Sequence, residues 1–218
     1  MNNVYKRSEI GDACQVRHIG VTLTLLTPGQ YHCGVYFEEE GDYVHLHLKS
    51  NLDLRVESHL TNAYLFLDPV YSDRRLQFVA EMACMIRDEN FESGIPYGFS
   101  NPSGAFTQEG KFDLGPSDSG LTCASFVLST FNAAGLELLN FASIPSSREN
   151  TDWQRLVHAN YSARYSPKNP WLKMLYEDIG KARVRPEESA AASIESNLPS
   201  QYEDIQPLAT ELRSCFTE

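Results

Sequence analysis

The chain has 218 residues, with 18 Lys and Arg against 29 Asp and Glu, for a formal net charge of −11. That balance excludes a general attraction for nucleic acid or anionic lipid, both polyanions, and no run of basic residues makes a local exception. With 42% apolar and 22% charged residues, the composition is that of a globular chain long enough to bury its own core.

Five cysteines (Cys14, Cys33, Cys84, Cys123, Cys215) are an odd number with no C-x-x-C pair, so neither a disulfide framework nor a zinc ribbon is expected. The first residues lack the apolar run of a signal peptide. No stretch reaches the roughly 18–20 consecutive apolar residues of a membrane helix. A reduced, cytoplasmic protein with no integral membrane segment is the expectation, with secretion by a route that needs no cleaved signal as the alternative.

The first third reads as β. Val16 to Leu26 is rich in β-branched and aliphatic residues and stops at Thr27-Pro28-Gly29. Tyr31 to Phe37 and Asp42 to Leu48 flank the turn Glu38-Glu39-Glu40-Gly41, and the second run alternates with period two, which predicts a hairpin. Leu52 to Val56 and Ala63 to Leu67 read as two further short strands. Ser72 and Asp73 suit the cap of a helix over about 74–88, whose apolar positions (Leu76, Val79, Ala80, Ala83, Ile86) have helical spacing and place Cys84 in its core.

Residues 90–120 then lose all periodicity. Nine Gly or Pro residues are interleaved there with Tyr97, Phe99, Phe106 and Phe112. A loop of that length in a compact domain is functional or mobile. It leads into a helix beginning near Cys123, with Asp118, Ser119 or Thr122 as the cap, one face of Phe126, Val127, Thr130, Phe131 and Ala134, and Gly135 as the stop. Asn150-Thr151-Asp152 suit the cap of a helix to about Ala163, and Pro170 opens another to Ile179. From Pro186 onward there are seven acidic residues and one basic residue. This segment reads as a weakly helical acidic tail, either a surface for a protein partner or a solvated appendage. The expected division is a catalytic domain over 1–145, a helical extension over 146–185 and the tail over 186–218.

Phosphate-cradling and zincin motifs are absent, as is G-x-S-x-G. What remains is a cysteine at a helix start and the histidines His32, His45 and His47. A thiol attacks as thiolate, which the positive end of a helix, its free N–H groups and a neighbouring imidazole all favour. The same N–H groups can stabilise an oxyanion. Against this stands the ordinary packing role of a buried cysteine. Cys33 adjoins His32 in sequence but points to the opposite face of its strand, so the two do not form a dyad. His45 and His47 share a face, as an H-x-H metal pair does, but no spaced third ligand presents itself. No metal or cofactor is expected. His18, His59 and His158 have no assignable partners.

Three segments in order, His32-Cys33-Gly34-Val35-Tyr36, then Gly41 followed by Tyr43-Val44-His45-Leu46, then Thr122-Cys123-Ala124-Ser125-Phe126-Val127, resemble the circularly permuted papain-like hydrolases. That superfamily includes lecithin–retinol acyltransferase and the permuted NlpC-like amidases, and the resemblance covers about residues 16–140. It implies an α+β fold, a small antiparallel sheet packed against helices that include the nucleophile helix. It implies Cys123 as nucleophile, His32 as general base and acid, and His45 as the group that orients His32, with His47 as rival for that role. Two features depart from the lipid acyltransferases, Thr122 in place of Asn and no His after the cysteine. The absent membrane anchor is a third. Together they favour hydrolysis of an amide, isopeptide or cell-wall peptide bond through a thioester, with a peptide, protein or acyl substrate. The PPPDE-type peptidases share the same order of residues, and a bacterial effector or toxin is the setting the family implies. An acyltransferase using the same dyad and a non-catalytic binding module are the alternatives.

Overall fold

The computed structural model describes residues 4–6, 18–58, 61, 63–115 and 118–216. Cys14 and His59 lie outside them, as do the first two residues of the strand expected from Val16. Among the described residues the chain is α+β, with a six-stranded antiparallel sheet and six α-helices. The strands β1 (Val4–Lys6), β2 (Ile19–Thr27), β3 (Gln30–Glu39), β4 (Asp42–Ser50), β5 (Asp53–Glu57) and β6 (Tyr64–Leu67) lie in the order β1-β6-β2-β3-β4-β5. The helices are α1 (Asp73–Asn90), α2 (Cys123–Ala133), α3 (Arg148–Ser162), α4 (Pro170–Glu177), α5 (Pro186–Ile194) and α6 (Tyr202–Ser214). No described helix is long and apolar enough to cross a membrane.

Turn chemistry builds the meander β2-β3-β4. Pro28 fixes its own φ and Gly29 takes φ +77°, closing β2 on β3 at Thr27↔Gln30. Glu40 and Gly41 both have positive φ, 53° and 87°, the backbone of a two-residue hairpin whose twist matches its strands, and Glu39 faces Asp42. Period two then sorts the side chains. Ile19, Val21, Leu23, Cys33, Val35, Phe37, Leu46, Leu48, Leu65 and Leu67 belong to one apolar cluster, which α1, α2, α5 and α6 cover. Thr22, Thr24, His32, Tyr36, His45 and His47 alternate with them and occupy the other face.

The acidic tail of the sequence reading is corrected. Helix α5 packs on α2 and β3, and Ala190, Ala191, Ala192, Ser189 and Ser193 are wholly buried. Their small side chains let the helices approach closely. Two of its acids, Glu187 and Glu188, are buried and satisfied. Glu187 pairs with Arg213 at 3.2 Å, and Glu188 accepts from the Arg185 N–H at 2.7 Å and the Tyr202 hydroxyl at 2.9 Å. Ile205, Ala209 and Leu212 of α6 complete the same core, so residues 186–216 belong to the sheet domain.

Residues 90–115 and 118–121 are likewise stitched rather than free. Asn90 donates to the Ile86 and Gly110 carbonyls and accepts from Phe112 N–H. The buried Asp178 carboxylate accepts from Ser119 Oγ at 2.5 Å, Ser119 N at 3.3 Å and Ser100 Oγ at 3.1 Å, while Lys181 neutralises it at 2.7 Å. Trp171 Nε1 donates to the carbonyls of Tyr97 and Ser119. A second cluster, Phe99, Trp171, Leu172 and Leu175, docks α3 and α4 onto this segment. The expected α3 starts two residues earlier than its sequence cap, because Ser147 rather than Asn150 caps it. Cys84 is half-buried rather than core, and its thiol lies against Glu39.

Candidate active site

Helix α2 begins at Cys123 because Thr122 caps it. Thr122 Oγ1 accepts from Ser125 N–H at 3.1 Å and Ser125 Oγ accepts from Thr122 N–H at 2.8 Å, a reciprocal capping box. Phe126 N–H is taken by the Thr122 carbonyl. The first-turn N–H groups of Cys123 and Ala124 have no acceptor among the described residues. Cys123 thus sits at the positive end of a buried helix with two donors open beside it.

Pairing of β3 with β4 ends at Val35↔Leu46, so the first residues of β3 pair with β2 alone. Into the space left by β4 come Cys123 and both neighbours of its sulfur. The Cys33 thiol and main chain and the His32 ring all lie close enough to the Cys123 sulfur to stabilise its thiolate. Sequence reasoning set Cys33 apart from His32 on strand alternation. The alternation holds, yet both residues reach one sulfur because it lies at the strand's edge. The Cys33 hydrogen bonds and the His32 charge together hold the Cys123 thiol well below the usual cysteine range, against the opposing effect of burial. Burial opposes a charge on His32 too, but the Cys123 thiolate outweighs it and raises the imidazole above its ordinary value. Cys33 itself is pushed up by burial. An ion pair of thiolate and imidazolium is the state these interactions favour.

The imidazole within hydrogen-bond distance of His32 is that of His47, not that of His45. His32 Nε2 lies 2.7 Å from His47 Nδ1. His45 lies two residues earlier on β4, opposite Tyr36, where its Nε2 shares a 2.9 Å hydrogen bond with the Thr22 hydroxyl. Burial and then the His32 charge lower His47 to about 4, and burial holds His45 well below the ordinary imidazole value. Both are therefore neutral where His32 is charged. A charged His32 donates from Nε2, so His47 accepts at Nδ1 and carries its own proton on Nε2, 3.5 Å from Glu57 Oε1. The result is a line of groups, Cys123, His32, His47 and Glu57.

Gly34 makes room for it. A Cβ there would stand 2.6 Å from His45 Nε2, 2.7 Å from His47 Cβ and 2.8 Å from the Leu46 carbonyl. The third member the H-x-H pair lacked in sequence is Glu57. His45, His47 and Glu57 offer ligand atoms within 4.8 Å of one another, the nearest approach to a metal-binding set among the described residues. Its approach to His47 serves equally as the end of the proton line.

Above the sulfur opens a cleft of about 270 Å³, lined by Cys123, His32, Tyr97, Trp153 and Arg183 among others. Its far wall comes from α3, from residues 183–185 and from Pro186 and Glu187 at the start of α5, the regions read from sequence as extension and tail. Glu57, Trp153 and Arg183 were not singled out in sequence, having no motif to mark them, and Tyr97 stood out only as one aromatic of residues 90–120. His158 stands apart, against Tyr176, and His18 is exposed. No protein-family model, curated protein or solved structure matches the chain.

Proposed function

We propose that the protein is a thiol hydrolase of amide, isopeptide or cell-wall peptide bonds, with a permuted papain-like arrangement of Cys123, His32 and His47. The observation that carries the reading is the sulfur of Cys123 held at a helix start by His32, whose other nitrogen lies 2.7 Å from His47. The thiolate attacks the scissile carbonyl carbon and forms the C–S bond. The oxyanion is received by the Cys123 and Ala124 N–H groups. His32 gives its proton to the leaving nitrogen as the C–N bond breaks, leaving a thioester. Neutral His32 then takes a proton from water, whose oxygen displaces the thiolate and releases the acid. His47 keeps the His32 ring in the productive orientation throughout.

Alkylation of Cys123 by iodoacetamide against pH, mapped by mass spectrometry, tests the dyad. Thiolate is gained as pH rises through the lowered Cys123 value, so Cys123 reacts well below the usual cysteine range. His32→Ala shifts the profile upward. His47→Ala shifts it partway, and His45→Ala leaves it in place. Hydrolysis also needs the imidazolium, which is lost as pH rises through the raised His32 value, so its profile is a bell whose limbs belong to the coupled pair. Cys123 reacting no faster than Cys215, with no effect of His32→Ala, refutes the reading. Free acid as the sole product marks a hydrolase, and an acylated amine or lipid acceptor marks a transferase.

A further inference from the structure

We infer that the cleft over Cys123 binds a substrate carrying a carboxylate close to the reacting carbonyl, and that the Arg183 guanidinium is its receptor. The inference rests on Cys123 being the nucleophile and adds the chemical class of what it attacks.

Arg183 lies with its guanidinium carbon 3.5 Å from the centre of the Trp153 ring. Stacking occupies the face of the guanidinium and leaves its N–H edge for a planar oxyanion, the geometry in which arginine holds carboxylates in pairs of hydrogen bonds. Arg183 is half-buried in the wall of the same cleft as Cys123. A cation withdrawn from water calls for a counter-ion.

The cleft's own acids do not supply one. Glu149 is held by Arg185 at 3.0 Å, and Glu187 by Arg213 at 3.2 Å. Among the described residues no carboxylate pairs with Arg183, and none pairs with Lys49 at the rim. Tyr97, the nearest acidic neighbour in kind, is kept a neutral phenol by burial. Among the described residues the anion left is the Cys123 thiolate, which His32 already faces. A chain of net charge −11 thus presents a cationic hollow at its nucleophile. The hollow's volume, about 270 Å³, suits a small acyl group more than a folded partner.

Two alkylating reagents of equal reach and different charge test this on the full chain. Iodoacetate bears its carboxylate on the carbon that sulfur attacks, and iodoacetamide bears a neutral amide there. The ratio of their rates at Cys123 is read against the same ratio for glutathione. In the wild type the normalised ratio favours iodoacetate by roughly tenfold, the scale of one charge-assisted contact. Arg183→Gln brings it down severalfold while the iodoacetamide rate holds, and Arg183→Lys restores part of it. Urea unfolding of both variants establishes that they are folded. If Arg183→Gln slows both reagents equally, the arginine serves the thiolate and the inference is overturned. It is equally overturned if the wild-type ratio matches glutathione. If instead Cys123 reacts with neither reagent faster than Cys215 does, the nucleophile reading has failed and the inference falls with it, a different result from a fast sulfur without charge preference.

Discussion

Replacing Gly34 with alanine ties the fold to the chemistry in one substitution. The added Cβ meets His45 Nε2 at 2.6 Å, His47 Cβ at 2.7 Å and the Leu46 carbonyl at 2.8 Å, all inside van der Waals contact. The carbonyl belongs to the ladder of β4 and the His47 Cβ to its backbone, so neither withdraws without moving the strand. Over-packing of this kind costs about 1–3 kcal/mol, and three simultaneous contacts, one with a buried ring and two with atoms fixed to the β4 backbone, put Gly34→Ala at the upper end, roughly 3 kcal/mol. Any movement of His47 away from the new methyl stretches its 2.7 Å contact with His32. The assay is urea unfolding at constant m-value, together with the rate of Cys123 alkylation near neutral pH. Stability should fall and alkylation slow together. Gly135→Ala is the control. It imposes a side chain on a positive φ, +75°, a strain absent at Gly34, and its Cβ meets nothing within 4 Å, so it costs about 1 kcal/mol and leaves the alkylation rate alone. Wild-type stability and alkylation in Gly34→Ala would refute the placement of the histidine rings.

Asp178→Ala should cost about 3 kcal/mol in urea unfolding, because it leaves the buried Ser119 and Ser100 hydroxyls without their acceptor, while the part-exposed Lys181 returns to water. The same variant should slow Cys123 alkylation, since Ser119 lies three residues before the Thr122 cap. Unchanged stability would count against the network. Thr122→Ala should lose about 1 kcal/mol, whereas Thr122→Asn, which can cap as well, should stay within about 0.5 kcal/mol of the wild type. Deleting residues 186–218 should abolish the cooperative unfolding transition and near-ultraviolet dichroism, because it removes Ala190–Ala192 and Leu212 from the core. A truncated chain that keeps both would restore the reading of a tail.

The hairpins and α2 were legible because their determinants are local. Two-residue turns with Gly29 and Gly41, alternation along β4, the Thr122 cap and the Gly135 stop all act within a few residues. Helix α5 was not legible. Ala, Ser and Glu score as solvent-facing by composition, and only the approach of α2 and β3, with Arg213 and Tyr202 as partners for the acids, makes that stretch the centre of a core. The choice between His45 and His47 was within reach of the sequence. Counting outward from Glu39↔Asp42 sets His45 across from Tyr36 and His47 across from Gly34, so His47 is the diagonal neighbour of His32. Shared facing alone does not separate the two histidines, but register does. Arg183 and Trp153 offered no such handle, since their meeting depends on how α3 docks.

The sheet sets a problem that the site resolves at one place. Helix α2 lies on the apolar face with Cys33, Val35 and Phe37, whereas the three histidines lie on the opposite face, so a continuous ladder would keep sulfur and imidazole apart. They meet only past Val35↔Leu46, where β4 leaves β3. The departure is held from outside the sheet. Leu52, after the end of β4, donates to the Ile95 carbonyl at 3.0 Å with its own φ at +57°, and Asn51 accepts from Tyr97 N–H at 3.0 Å. Those bonds pull the end of β4 toward residues 95–97, the start of the segment that returns through Gly98 and Gly120 to the Thr122 cap. One length of irregular chain therefore spreads the strands and delivers the cysteine into the gap. Its glycines are needed for that double task. A Cβ on Gly120 would lie 2.0 Å from the Pro96 carbonyl, and one on Gly98 would lie 2.0 Å from Ser119 Oγ. The composition that resembles a mobile loop in sequence is, in the fold, what lets two main-chain passes close on each other beside the nucleophile.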